Sequence, residues 1–389
     1  MEKLVTSRLK LGIISGGQLG KMLIQEASKW DIRTYILDED EKCPAGTIAS
    51  RFVKGSRLDY DAVYQFGKLV DVLTFEIESV NVEALKRLKA EGVTIAPDPA
   101  ILEMIQDKAR QKKFYRELGI PTPSCRTCKS REDLAEMLEN REIRFPFVQK
   151  LCRGGYDGRG VAVMDDEEDL LNWLPGESII EEKVDIAREI SVIVARNKSG
   201  ERASYPVAEM IFDNKANLVD KIICPSSLSA AQSEEAVGYA ERVAEGLKIE
   251  GLLAVELFID SAGKIWVNES APRPHNSGHH TIESIITSQF EQHLRAVLDL
   301  PLGSTRVKMP SVMVNLVGAE GYEGPVMYEG LRDVMALEGV KIHLYGKEAT
   351  RPYRKMGHVT ILSSTIEKAI EKAETVKQQI KVKSWNKSL

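Results

Sequence analysis

Short apolar, β-rich runs alternate with amphipathic helical stretches along the first hundred residues: 11–14, then 18–30, 33–37 and 70–75. That alternation predicts a small parallel sheet with flanking helices. A helix follows over about 107–118, and the proline-punctuated stretch 119–124 breaks the chain. Beyond it lie strand-like runs at 147–150, 161–164, 178–184 and 190–195, with an acidic helical stretch at 166–173, the pattern of an α+β unit with antiparallel character. Two more apolar runs, 252–259 and 264–268, are joined by Asp260-Ser-Ala-Gly263 and read as a hairpin. After Pro301 come short strands at 311–316 and 341–345 and a Lys/Glu-rich helix from about Thr365. The whole is α/β and α+β in class, in about two or three domains.

Composition narrows the function classes. With 43% hydrophobic residues in 389, the chain can bury a large core. Its net charge of -5 and the lack of long single-sign runs argue against a nucleic-acid surface. The N-terminal apolar stretch stops at Gly16 and Gly17, short of a signal h-region, and no later run is long enough to span a bilayer, so a cytoplasmic protein without membrane contact is expected. Five scattered cysteines, Cys125 and Cys128 among them, are expected as reduced thiols.

Several clusters carry chemistry. Ser15-Gly-Gly-Gln-Leu-Gly20 lies between a predicted strand and helix, where backbone N–H groups can face an anion; with Asp38 at the end of the next strand it admits a dinucleotide reading, and an NAD-dependent dehydrogenase is the alternative from another class. The loop after Lys150 has four glycines among the seven residues Gly154 to Gly160, a composition suited to close approach of backbone to phosphates, with Lys150 as a point charge. Glu181-Glu182-Lys183-Val184 and Glu189 offer groups for a base and a ribose. Glu256 and Glu269 sit with Asn268 in the two apolar strands of the predicted hairpin. Carboxylates in such strands are costly unless paired or bound to a cation, and hard oxygens of this kind suit magnesium under a triphosphate. The loop that follows contains Arg273, His275, Asn276, Ser277, His279 and His280. Prolines and the absence of an HExxH pattern disfavour zinc, whereas Arg273, Asn276 and Ser277 suit anionic substrate oxygens. Arg351, Arg354 and Lys355 place three cations within five residues, a candidate phosphate site.

Taken in order, Ser15 to Gly20, Thr74-Phe-Glu-Ile-Glu78, Gly154 to Gly160, Asn268 to Gly278 and Arg354 to His358 closely resemble the N5-carboxyaminoimidazole ribonucleotide synthase family of the ATP-grasp superfamily. The resemblance implies a Rossmann-like pre-ATP-grasp domain (1–106), an ATP-grasp domain (107–297, lid about 122–184) and a small β-rich C-terminal domain (298–389), usually as a homodimer. It implies ATP-dependent joining of bicarbonate to the amine of 5-aminoimidazole ribonucleotide, with the product consumed by a mutase. Lys108, Lys150, Gly155, Tyr156, Asp157, Gly158, Arg159, Gly160, Val161, Glu181 to Val184, Glu189, Asn268 and Glu269 are thereby expected at ATP, and Glu256 and Glu269 at Mg²⁺, or alternatively Mn²⁺. Gln18, Glu76, Tyr156, Arg159, Arg273, Asn276, Ser277, Arg351, Arg354 and Lys355 are expected at the ribonucleotide or activated bicarbonate, with Asp157, Arg273 and Lys355 as catalytic groups. A formate-using glycinamide ribonucleotide transformylase is a nearby alternative. Ser15 stands where the family has glycine, and Met210 and Phe212 where it has Asn and His.

Overall fold

The computed structural model describes residues 6–155, 160–213 and 218–385. Tyr156, Asp157, Gly158 and Arg159 therefore lie outside the described residues.

The N-terminal sheet is parallel. Its strands are β1 (Lys10–Ile14), β2 (Arg33–Asp38), β3 (Arg51–Lys54), β4 (Val72–Phe75) and β5 (Thr94–Ile95), in the order β3-β2-β1-β4-β5. Buried Leu11, Ile13, Ile14, Leu73 and Phe75 make the near-continuous apolar strands that a sheet covered on both faces requires. The order reverses at β1, and the turn Ser15–Gly17 leads from there into the helix Gln18–Ser28. Helices nearby start at side-chain caps: Asp59, Asn81, Asp98 and Asp107 each accept a hydrogen bond from a first-turn N–H.

A second, antiparallel sheet contains β6 (Cys125–Cys128), β7 (Phe147–Leu151), β8 (Val161–Met164) and β9 (Ser178–Glu182), ordered β6-β9-β7-β8. The acidic stretch expected as a helix over 166–173 is only a short 3-10 turn, Glu168–Asn172, and the strand expected to reach Val184 ends at Glu182. Cys125 and Cys128, three apart on β6, point to opposite faces; Cys128 is buried and Cys125 partly exposed.

The third sheet has nine strands. Its members are β10 (Ile186–Arg196), β11 (Arg202–Ser204), β12 (Ala208–Asp213), β13 (Leu218–Cys224), β14 (Gly251–Asp260), β15 (Ile265–Ala271) and β16 (Ser311–Val317), followed, after β17 (Gly324–Glu329), by β18 (Val340–Leu344) and, after β19 (Ala349–Thr350), by β20 (Lys355–Leu362). The order is β15-β14-β10-β12-β13-β16-β20-β18, with β11 on β10. Three of the strands after residue 298, β16, β18 and β20, thus extend the sheet that carries the glutamate hairpin. A small separate sheet joins β19, β17 and β21 (Lys381–Ser384).

Alternation along β10 and β14 divides the central sheet's faces. Ile190, Val192, Val194, Leu253, Val255 and Leu257 pack with Ala236, Ala240 and Val243 of the helix Ala230–Leu247, which opens on a Ser229/Gln232 capping box. The opposite face carries Glu189, Ser191, Glu256 and Phe258, and it is here that the polar groups gather.

Candidate active site

Glu256 and Glu269 are directly paired across β14 and β15, so their side chains share a face. Immediately beside the pair the register shifts: Leu257 faces Val267, leaving Asn268 as the extra residue of a β-bulge. The bulge re-aims Asn268, whose Oδ1 accepts from Lys150 Nζ at 2.8 Å. Lys150 also reaches Glu181 Oε2 at 2.7 Å, and its ammonium lies 5.8 Å from the centre of the Phe258 ring. Lys108 Nζ is bonded to Glu269 Oε2, and His275 Nε2 lies 3.3 Å from Glu256 Oε1. Glu189 lies on the same face, two pairs further along β14, opposite Phe258.

These groups perturb one another. Lys108 lowers the Glu269 carboxyl well below the usual range, outweighing burial. Burial works against the Lys108 charge, yet Glu269, Glu181 and Glu256 hold its pKa above the usual lysine value. Burial, with the nearby Glu256, pushes Glu189 up to about 7. A carboxylate so raised beside a second one marks a place short of positive charge, and two glutamates with an amide oxygen form a hard-oxygen donor set. The residues present therefore fit a divalent magnesium-type ion between Glu256 and Glu269.

Sequence reasoning missed Lys112. Its ammonium is 3% exposed and bridges Glu181 Oε1 at 2.8 Å and Thr122 Oγ1 at 2.9 Å, while Glu181 is 2% exposed. Burial lowers its pKa to about 8. Glu181 is thus held between two lysines, Lys112 and Lys150, and is itself an internal counter-ion. No sequence pattern marks a lysine among the charged residues of the helix Lys108–Glu117 as the one that turns inward.

Other expected ATP residues line the edges. Gly160 has φ 76° and Val161 pairs with Lys150 across the β7–β8 hairpin, whose tip includes Gly155. Glu182, Lys183 and Val184 line a small cleft with Trp266. Glu182 accepts from Ser124 Oγ at 3.0 Å, and Lys183 pairs with Asp165. Met210 is buried opposite Glu189, and Phe212 packs with the apolar cluster around Ile222 and Ala254. Where the family has Asn and His, this chain therefore has packing.

The residues expected at the acceptor come from three segments. Arg273 forms an ion pair with Glu78 at 2.7 Å. Ser277 Oγ is bonded to Ser191 Oγ at 2.8 Å and to His275 Nδ1 at 2.9 Å. Asn276 exchanges two amide hydrogen bonds, 3.0 and 3.1 Å, with Asn315, a residue the sequence did not single out. Lys355 opens β20, where its carbonyl accepts from Lys347 Nζ at 2.7 Å. Arg354 donates to the Ala349 carbonyl at 2.6 Å, and Arg351 is exposed. Arg351 and Arg354 are thus on a loop at the rim, outside the network that joins the other groups.

The glycine turn of the N-terminal sheet is closed by the protein's own carboxylates. Glu76 accepts from the Gly17 and Gly20 N–H groups, and Asp38 accepts from Gly16 N at 2.7 Å and from Ser15 Oγ at 3.2 Å. A Cβ on Gly17 would collide with the Glu76 carboxylate. Burial raises the Glu76 pKa despite these donors. The N–H groups invoked for a dinucleotide pyrophosphate are already committed. Ser15 has φ 73°, which explains a glycine at that position in the family. Gln18 opens the adjoining helix.

Three family models match in succession: a ribonucleotide synthetase preATP-grasp domain over residues 9–106, an ATP-grasp domain over 113–290, and a phosphoribosylaminoimidazole carboxylase C-terminal domain over 311–372. The N5-carboxyaminoimidazole ribonucleotide synthase of Bacillus subtilis is 35% identical over 356 residues, covering 90% of this chain and 91% of the relative. A chloroplastic phosphoribosylaminoimidazole carboxylase of Vigna aconitifolia is 37% identical, but the matched region is 64% of that longer protein. The crystal structure of N5-carboxyaminoimidazole ribonucleotide synthetase from Thermotoga maritima superposes with a TM-score of 0.89 at 44% identity, covering 97% of this chain and 99% of that one. That of the synthase from Aspergillus clavatus in complex with ADP and 5-aminoimidazole ribonucleotide does so with 0.87 at 30% identity, covering 96% and 99%. Fold, domain succession and sequence agree: the chain belongs to the N5-carboxyaminoimidazole ribonucleotide synthase family of ATP-grasp ligases.

Proposed function

We propose that this site drives the family's reaction, the ATP-dependent carboxylation of 5-aminoimidazole ribonucleotide by bicarbonate, through the residues just described. The observation that supports this reading most is the meeting of Glu256, Glu269, Lys108 and Lys150 on one face of the central sheet. Lys108 and Lys150 would bind triphosphate oxygens, and the glycine-rich loop after Lys150 is assigned to the same phosphates. Glu256 and Glu269 would hold Mg²⁺, which supplies Lewis-acid neutralisation of the phosphate charge when bound. Glu189, half-buried beside Phe258, is suited to a ribose hydroxyl.

Bicarbonate oxygen attacks the γ-phosphorus, ADP leaves, and carboxyphosphate results. The substrate amine then attacks the carboxyl carbon, directly or after CO₂ is freed, and gives up a proton as phosphate departs. Arg273 and the His275–Ser277 loop orient the anionic groups, and Lys355 holds the acceptor against them. Asp157 is assigned to the amine and its proton, and Tyr156 and Arg159 to the same ligand. Arg351 and Arg354 are assigned to the substrate phosphate. A closed lid excludes water from the labile intermediate. We assign the working enzyme to the cytoplasm, as a homodimer that passes its product to the mutase; no helix among the described residues is long and apolar enough to cross a membrane.

The test is phosphate release from MgATP and bicarbonate, with and without 5-aminoimidazole ribonucleotide. Stimulation by the ribonucleotide is expected; its absence, or stimulation by glycinamide ribonucleotide with formate instead, refutes the assignment.

A further inference from the structure

The loop that carries Arg273 to Ser277 continues as a short helical segment, a 3-10 turn at Asn276–Gly278 followed by Thr281–Ser284. Asn276, His279 and Glu283 stand at i, i+3 and i+7, the spacing of one helical face. Opposite them, cross-strand pairing puts Asn315 of β16 beside His358 of β20, and His358 beside His343 of β18. Directly paired residues of antiparallel strands share a face, so Asn315, His358 and His343 form one row across three strands.

The two rows meet residue for residue. Asn276 and Asn315 exchange amide hydrogen bonds at 3.0 and 3.1 Å. The His279 and His358 rings lie 4.8 Å apart, and His343 Nε2 is 3.1 Å from Glu283 Oε1. Within the strand row His343 stacks on His358 at 4.5 Å and 7° between planes, and Tyr345 Oη is bonded to His358 Nδ1 at 3.1 Å. Both His279 and His358 are fully buried, and their Nε2 atoms have no hydrogen-bond partner, so the contact is held by ring packing between two neutral imidazoles. Burial, with Lys355 and the other histidines nearby, keeps His279 neutral.

The two sides of this seam carry the two sides of the acceptor site. On one, Arg273, His275, Asn276 and Ser277 precede or overlap the helical face; on the other, Lys355 stands three residues before His358 on β20. We propose that Asn315, His358 and His343 are positioning residues that set the separation between Lys355 and the Arg273–Ser277 loop, and so determine how tightly the ribonucleotide acceptor is held. The inference rests on the assignment of Lys355 and that loop to the acceptor. Nucleotide affinity should move far less, because Lys108, Lys150 and Glu269 are bonded to no member of the row, and the loop touches the glutamate pair only through His275 Nε2, 3.3 Å from Glu256 Oε1.

The experiment uses the full-length enzyme and four variants, reading KM for 5-aminoimidazole ribonucleotide, kcat, and ADP affinity by calorimetry. Asn315→Ala and His343→Gln, at the two ends of the row, are expected to raise acceptor KM by about tenfold or more, since ångström displacements of binding groups are costly, with ADP affinity within about twofold of wild type. His280→Gln is the control: it is buried, bonded to Ser284 Oγ at 2.9 Å, and off the row. Its acceptor KM should stay within about twofold. Lys355→Ala tests the underlying assignment and should itself raise acceptor KM. If Lys355→Ala raises KM and the row variants do not, the positioning role is wrong while the substrate site stands. If Lys355→Ala has no effect, both fall. A KM rise in His280→Gln equal to that of the row variants, or a parallel loss of ADP affinity, also overturns the proposal by showing general loosening. Should Asn315→Ala not fold, His343→Gln, at the partly exposed end of the row, decides alone.

Discussion

Glu269 faces Glu256 directly across the β14–β15 hairpin, and the ammonium that neutralises it, Lys108, comes from a helix more than 150 residues earlier in the chain. Lys108 brings one charge to this pair, and on the proposed reading a divalent ion would bring two. Replacing Glu269 by Ala is expected to remove metal-dependent turnover by about 3 kcal/mol of barrier or more, on the order of 100-fold in kcat, with MgATP saturation displaced to higher metal. Steady-state rates across a magnesium titration check this; near-normal rates mean the ion sits elsewhere.

The Lys112–Glu181–Lys150 chain predicts unequal penalties. Glu181→Gln leaves two ammonium groups without their carboxylate, one of them fully buried, at a cost of about 3 kcal/mol or more. Lys112→Met leaves Glu181 still paired with Lys150, so the loss should be smaller. Thermal melts of the two variants should therefore rank Glu181→Gln lowest in Tm, and the reverse order refutes the account.

Four buried histidines make the fold acid-sensitive. Burial lowers His280 to about 4 and His293 to about 3, and places His279 and His358 well below the ordinary value of 6.5. The unfolded chain takes up protons near pH 6.5 and the folded one does not. Stability is therefore full above pH 7 and falls as pH drops below 6.5 toward the folded values, by up to about 1.4 kcal/mol per pH unit for each histidine. Glu189, raised to about 7, titrates in the opposite sense and offsets about one histidine's share, and buried Glu76 acts in the same direction as Glu189. Tm should decline between pH 7 and 5; a constant or rising Tm contradicts these assignments.

The glycine turn predicts a negative result. With Gly17 and Gly20 N–H groups bonded to Glu76 and Gly16 N bonded to Asp38, NADH added to the protein should show no change in nicotinamide fluorescence. A saturable change would mean that a pyrophosphate displaces these carboxylates.

The sequence was most informative where chemistry is local. The glycine turn and the two glutamates in apolar strands are short-range signals, and they lie on the elements they were assigned to, the turn into the helix Gln18–Ser28 and the β14–β15 hairpin. Periodicity did not reveal Lys112, because nothing distinguishes it from Lys113 except the direction it faces in the folded helix. The bulge at Asn268 is equally silent, since one extra residue in a strand leaves no mark in composition. Asn315, His343 and His358 lie on strands whose order is set by long-range pairing, so their alignment exists only once β16, β20 and β18 have assembled. The same pairing explains why residues after 298 read as a separate unit although their strands continue the central sheet.

That continuity has a mechanical side. Because one unbroken sheet links the Glu256–Glu269 hairpin to β20, a single run of backbone hydrogen bonds braces the glutamate pair and the start of the Lys355 strand against each other. The four-stranded unit β6–β9, hydrogen-bonded into a sheet of its own, meets that frame through side chains, Lys150 on Asn268 Oδ1 and, by way of the helix Lys108–Glu117, Glu181 on Lys112.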